Sequence, residues 1–166
     1  GNSINFLKVI HSSSGGQNNF ANQNPNTILG IDTLILFAWN NTNGHVYPKY
    51  ITMYPGYIFS VQRRDTLSFD SFTVVGGCGD YAEIRSTITD QEAFVKPSQN
   101  NIINDLIVQD LHNVTSFELR VSNGIDLGNN IGWDFMENTG RELYWVNDGG
   151  DWVDSTHWSL SSGGPG

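Results

Sequence analysis

A-F-V-K-P-S-Q-N-N-I-I-N-D-L-I-V-Q-D-L-H-N-V-T-S-F-E-L-R-V-S-N-G, residues 93 to 124, is the stretch whose reading decides the fold. Ala93, Phe94 and Val95 stop before Pro97. Leu106, Ile107 and Val108 stop before Asp110, and Phe117, Leu119 and Val121 stop before Asn123-Gly124. Each apolar run is too short for a helix and is bounded by residues that turn the chain, so each reads as a strand.

The same pattern extends upstream. Thr33 to Ala38 is a continuous apolar run, and Tyr50, Thr52 and Tyr54 alternate with Ile51 and Met53 before the Pro55-Gly56 turn. Tyr57 to Val61, the pairs Leu67/Phe69 and Phe72/Val74, and the alternation Ala82 to Thr87 follow as further strands. The polar tract after Ile10, S-S-S-G-G-Q-N-N-F-A-N-Q-N-P-N, reads as a long loop anchored by Phe20, and Trp39 to Lys49 reads as a second loop. No ten-residue segment repeats apolar residues at helical spacing, so the chain is expected to be all-β.

Two architectures fit. A parallel β-helix or solenoid is favoured by short apolar runs with Asn, Ser and Gly at the corners, and an antiparallel β-sandwich is the alternative. Asn123-Gly124 is the clearest hairpin signal.

Composition narrows the function. With 166 residues the chain can bury a core without disulfides, and its single cysteine, Cys78, allows no internal disulfide and no structural zinc site of its own. A net charge of -9 argues against gripping phosphate backbones, so no nucleic acid partner is expected. Only 15% of residues are charged, below the usual quarter, and Asn, Ser, Thr and Gly fill the surface role instead. No run of about 18 apolar residues is present, so no membrane insertion is expected of this segment.

Residues 124 to 166 hold four of the five tryptophans, Trp133, Trp145, Trp152 and Trp158. Together with Asn104 to Val114, I-D-L-G-N-N-I-G-W-D-F (Ile125 to Phe135) and L-Y-W-V-N-D-G-G-D-W-V-D-S-T-H-W-S-L-S-S-G-G-P-G (Leu143 to Gly166), this part resembles repeats of giant Bacteroidetes cell-surface adhesins. These are the SprB-like proteins associated with gliding motility and exported by the type IX secretion system. G-G-C-G-D-Y-A-E-I-R-S-T (Gly76 to Thr87) is similar to another element of that family. The resemblance covers Gly76 to Gly166, and the first seventy residues match only in style. Asn147-Asp148 and Val153 depart from the pattern, which bears on loop detail.

The resemblance implies a non-enzymatic, extracellular, stacked repeat whose partners are neighbouring repeats of the same chain and an extracellular surface or polysaccharide. It also implies a division near Asn138, with residues 1–138 a solenoid-like unit and 139–166 a junction opening the next repeat. Trp133, Phe135, Trp145, Trp152 and Trp158 are then expected to pack at that junction.

Other chemistry is weaker. Trp39, Tyr47, Tyr54 and Trp152 would form the stacking surface of a carbohydrate-binding module, the alternative function. Asp148, Asp151 and Asp154, at three-residue intervals, offer oxygen ligands for Ca²⁺, although turn formation and capping explain them as well. Asp126 with Asn129 and Asn130 raises the same pair of readings. His11, His45, His112 and His157 are scattered without a metal-binding pattern, and neither a nucleophile elbow nor a phosphate loop is present. Glu83 with Glu92 or Asp110 is the carboxylate pair that a polysaccharide-active solenoid enzyme would use, with exposed strand carboxylates as the ordinary explanation.

Overall fold

The computed structural model describes residues 3–11, 18–21, 28–36, 40–43, 46–76, 80–137 and 143–165. The first strands are β1 (Ser3–His11), β2 (Asn18–Ala21), β3 (Ile28–Leu36), β4 (Asn40–Asn43), β5 (Val46–Met53) and β6 (Ile58–Val61). The middle of the chain contributes β7 (Thr66–Phe69), β8 (Ser71–Val74), β9 (Ala82–Ser86), β10 (Ala93–Pro97), β11 (Asn101–Asn104) and β12 (Leu106–Gln109). Then come β13 (Leu111–Asn113), β14 (Leu119–Ser122), β15 (Ile125–Asp126), β16 (Trp133–Phe135), β17 (Tyr144–Trp145) and β18 (Trp158–Ser159). The helical content of the described residues is one 3-10 turn, Ser155–His157, so the chain is all-β as its sequence predicts.

The strands pair in parallel. One ladder runs β1-β3-β5-β8, a second β2-β4-β6-β9-β12-β15, a third β7-β10-β13 and a fourth β11-β14-β16. Strand β17 pairs with β18 and is the antiparallel exception. Pairing partners lie between fourteen residues apart in sequence (Leu119 with Trp133) and twenty-eight (Thr66 with Phe94), so each ladder step spans a stretch of chain that visits the other ladders. From β6 to β14 the order of visits never changes: the six-stranded ladder, then the β7-β10-β13 ladder, then β8, β11 or β14.

Alternation within the strands explains the core. In β9, Ala82, Ile84 and Ser86 are buried while Glu83 and Arg85 point out and pair at 3.1 Å. Phe59, Ile84, Leu106 and Val108 from one ladder, Leu67, Val95 and Leu111 from another, and Met53, Phe72, Ile103 and Val121 from the others form a single buried cluster. Burying each such side chain contributes roughly 1.5–3 kcal/mol relative to leaving it in water.

The corners explain the abundance of Asn and Asp. Arg64, Asp90, Asp105, Asp110, Asn123 and Asn129 all take positive φ, a region that Asp and Asn tolerate better than other non-glycine residues. Asn123 Nδ2 donates to Asp105 Oδ1, and Asn129 Nδ2 donates to both Asp110 Oδ1 and Asp90 Oδ1. Asn101, 7% exposed, fully engages its amide: its Oδ1 accepts from Phe72 N at 3.0 Å, and its Nδ2 donates to Asp70 O and Gln99 O. The side chain thereby joins β8 to β11, whose ladders are otherwise separate.

Several sequence expectations are corrected. Asn123-Gly124 makes no hairpin, because β14 pairs with β11 and β16 while β15 pairs with β12. Its positive-φ asparagine turns the chain from one ladder to the next, which needs the same backbone conformation that a hairpin turn needs. Asn18–Ala21 and Asn40–Asn43, read as loop, are strands: β4 lies between β2 and β6, and ladder hydrogen bonding outweighs the low strand propensity of asparagine. Asp110 is no exposed strand carboxylate. It sits at a corner, 1% exposed, accepting from Asp90 N at 3.1 Å and from Asn129. Trp39, His45, Cys78 and the division at Asn138 lie outside the described residues.

A core truncation and a corner substitution test this packing. Ile84→Ala is expected to cost about 2–5 kcal/mol in urea unfolding. At Gly124 an added Cβ would meet Val121 Cγ1 at 2.2 Å and Leu106 O at 3.0 Å, so Gly124→Ala is expected to cost about 1–3 kcal/mol. An unchanged urea midpoint in either variant contradicts the packing described.

Candidate functional site

Two places gather chemistry-bearing side chains. The first is a groove beside β5 and the corner where β7 gives way to β8. Its polar edge is a column of side chains from successive strands: Lys49 Nζ lies 3.4 Å from Asp32 Oδ1, Asp70 N donates to Lys49 O, and Ser98 Oγ donates to Asp70 Oδ1. Ser98 N also donates to Phe69 O, which fixes the height of the column. The groove has a volume of about 500 Å³. Tyr47, Pro48, Pro97 and the buried Phe69 line its apolar side, and Lys96 and Phe117 stand at its exposed edge. A second depression of about 350 Å³, bordered by Glu118, Trp133 and Asp134, shares Thr115 and Phe117 with it. Asp134 is held there by Arg120 Nε at 2.9 Å.

Proline accounts for part of this geometry. Pro48 and Pro97 each lie in a strand and cannot donate a ladder hydrogen bond, and each is buried beside an exposed lysine. Of the three lysines in the chain, two therefore reach the same groove.

The second place is residues 143–165. Pairing of Tyr144 with Ser159 and of Trp145 with Trp158 makes a short antiparallel ladder. Trp145 stacks on His157 with centroids 4.8 Å apart and planes 6° from parallel, and on Trp152 at 5.9 Å and 15°. Trp158 meets Trp145 and Trp152 edge-on at 5.1 and 4.5 Å. The indole nitrogens are satisfied by backbone: Trp145 Nε1 donates to Asp148 O and Trp158 Nε1 to Trp152 O. Gly150 lets the loop pass close to His157, since a Cβ there would lie 2.1 Å from Nε2.

The predicted residues divide between these places. Tyr47 lines the groove, whereas Tyr54 lies beyond the far end of β5 and is not part of the lining. Trp152, 72% exposed, belongs to the aromatic cluster. Of the three described residues of the expected stacking surface, Tyr47 alone lines the groove, and seven residues of chain, roughly 23 Å if extended, separate it from Tyr54. Of the five junction aromatics, Trp133 and Phe135 pack on the main core, with Trp133 Nε1 donating to Leu111 O, while Trp145, Trp152 and Trp158 pack on one another.

The aspartates proposed for Ca²⁺ have turn-forming roles. Asp154 Oδ1 accepts from Thr156 N and Oγ1 and caps the 3-10 turn, and Asp151 Oδ1 accepts from Val153 N. Asp148 contributes its backbone oxygen to Trp145. Among the described residues no three His, Cys, Asp or Glu side chains converge as a metal site would require. Asp126 likewise accepts from Gly128 N and Asn130 Nδ2 within its own turn. Of the carboxylates considered for catalysis, Glu83 is paired with Arg85, and Glu92 lies 3.9 Å from His112. Lys49 and Lys96 were missed, and the signal that could have found them is a lysine next to a strand proline at Pro48-Lys49 and Lys96-Pro97; Phe117, expected in a strand with Leu119 and Val121, is instead exposed in a bend before β14.

Comparison of the chain with protein-family models, with curated proteins and with solved structures finds no match.

Hydrogen bonds from the Thr156 backbone N–H and then from its hydroxyl hold the Asp154 carboxyl below its ordinary value of 3.8, with a smaller contribution from His157. A lowered folded-state pKa adds stability that is present above about pH 3.8 and disappears as pH falls through the folded value. Acidification through that window is expected to loosen the cluster, seen as loss of near-UV circular dichroism from the stacked tryptophans. Asp154→Ala is expected to weaken the signal at neutral pH and remove this acid step; an unchanged acid profile in the variant overturns the capping role.

Proposed function

We propose that the chain is a non-enzymatic structural and adhesive repeat of a large bacterial cell-surface adhesin, its strands wound as successive coils of a parallel β-solenoid. The observation that carries this reading is the constant order in which the chain, from β6 to β14, visits parallel ladders whose buried side chains form one core. In such a stack the ladder hydrogen bonds run along the axis and resist pulling together, which suits a stalk or a contact surface. The last strands support a further neighbour: Ile125, Leu127 and Ile131 are 38%, 52% and 58% exposed, and β15 and β16 each end their ladders among the described residues. A following repeat of the same chain would cover them.

The resemblance of Gly76 to Gly166 to SprB-like repeats adds the setting: the surface of a gliding Bacteroidetes cell, reached by type IX secretion. The net charge of -9 and the Asn-rich exterior suit a long extracellular filament that must stay soluble and avoid self-association. The aromatic cluster at 143–165, which packs chiefly on itself, suits a unit that opens the next repeat.

Single-molecule force spectroscopy tests the reading. Pulled from its ends, the chain is expected to unfold in several steps, each releasing one coil of chain, and to release no sugar from polysaccharides at any stage of purification. A single cooperative rupture would count against stacked coils. Turnover of a polysaccharide would count against a non-enzymatic repeat.

A further inference from the structure

From the groove beside Asp70 we infer a binding site for a carboxylate-bearing polysaccharide, a polyuronate, lying along the stacking direction. The inference is independent of the mechanical role and rests on different residues. The chain carries a net charge of -9, yet the groove collects Lys49 and Lys96 against Asp70 as its lining acid. Asp32 also contacts Lys49, but that pair is exposed, with Lys49 at 62%, and exposed pairs contribute little and exchange partners readily. A ligand carboxylate can therefore take up the lysine at low cost.

The shape matches an extended sugar chain. Its walls come from successive strands, β5, β7 and β10, so the groove crosses ladder steps of about 4.8 Å each. A hexopyranose ring in a linear chain advances by nearly the same length, so neighbouring sugars can meet equivalent strand layers. Lys49 and Lys96 stand two steps apart in this sense, with the Asp70 layer between them, which suits carboxylates on alternate rings. Tyr47 and Phe117 offer ring faces to the apolar C–H faces of sugars, and Phe117 is 41% exposed. The Ser98 hydroxyl already donates to the Asp70 carboxylate, and the two present their remaining acceptor capacity to sugar hydroxyls. A volume of about 500 Å³ falls within the range of small-molecule sites and accommodates a short stretch of such a polymer.

Titration calorimetry of the whole chain with a short oligogalacturonate tests the site, with a neutral glucan oligomer and a sulfated dextran oligomer as comparisons. Binding of the oligogalacturonate is expected to be the tightest of the three. Lys49→Gln combined with Lys96→Gln is expected to weaken it about tenfold, and Phe117→Ala roughly fivefold. Lys96 and Phe117 are on the surface, so Lys96→Gln and Phe117→Ala are expected to keep the wild-type thermal unfolding profile and to separate lost binding from lost fold. Absence of oligogalacturonate binding, equal or tighter binding of the neutral or the sulfated oligomer, or affinity unchanged in the folded variants would overturn the site. None of these outcomes alters the stepwise unfolding expected of stacked coils, so the two readings fail separately.

Discussion

At Asp105 and Asn123 the chain turns in the left-handed region, with φ of +53° and +52°, and Asn123 Nδ2 donates to Asp105 Oδ1 one strand layer away. Asp90, Asp110 and Asn129 repeat the arrangement at another corner, with φ between +55° and +61°. These turns set the direction in which each strand leaves the corner. Once corners stack, the strands between them fall into parallel register, and alternate side chains point into a common interior. The apolar core, the parallel ladders and the outer grooves all follow from that constraint. Asparagine and aspartate suit the role doubly, since they accept positive φ and supply a side chain that bonds to the layer above or below.

The same constraint shapes the surface. A column made of Asp32 and Lys49 within strands and of Asp70 and Ser98 just after them crosses neighbouring strands, linked from Lys49 onward by Asp70 N donating to Lys49 O and Ser98 N to Phe69 O. Pro48 and Pro97 keep register partners, Ile31 and Phe69, and are buried, while the adjacent Lys49 and Lys96 are exposed at its outer edge. Local chemistry on an acidic, largely uncharged surface is thereby concentrated in one place. Residues 143–165 follow a different rule. Their ladder has two residue pairs, and order there comes from stacked rings, with Trp145 between His157 and Trp152, and from the Asp154 cap.

Much of the fold was legible in the sequence. Runs such as Leu106 to Val108 and Leu119 to Val121 end at residues that turn the chain and are strands, whereas Phe117, read with Leu119 and Val121, lies exposed in a bend before β14. Less legible were strands made of polar residues. Asn40–Asn43 has no apolar alternation, and only its neighbours on both sides make it a strand. Asn123-Gly124 carried a true conformational signal that fits two topologies, a hairpin and a corner. The candidate site was legible only in fragments: Tyr47 was recognisable as an aromatic near a turn, but its companions Lys96 and Phe117 lie 49 and 70 positions further along the chain.

By itself the sequence determined that the chain is all-β and that it carries a net charge of -9. These are properties of local pattern and of totals, and neither depends on which strand meets which. Only the tertiary structure decided the parallel pairing, the burial of Asp110, the packing of Trp133 and Phe135 on the main core, and the placing of Lys49 and Lys96 on one groove. The physical reason is that a strand leaves its partners open: its backbone groups can pair with any other strand. Register is therefore chosen by packing and corner hydrogen bonds across the whole chain, and side chains distant in sequence become neighbours only once that choice is made.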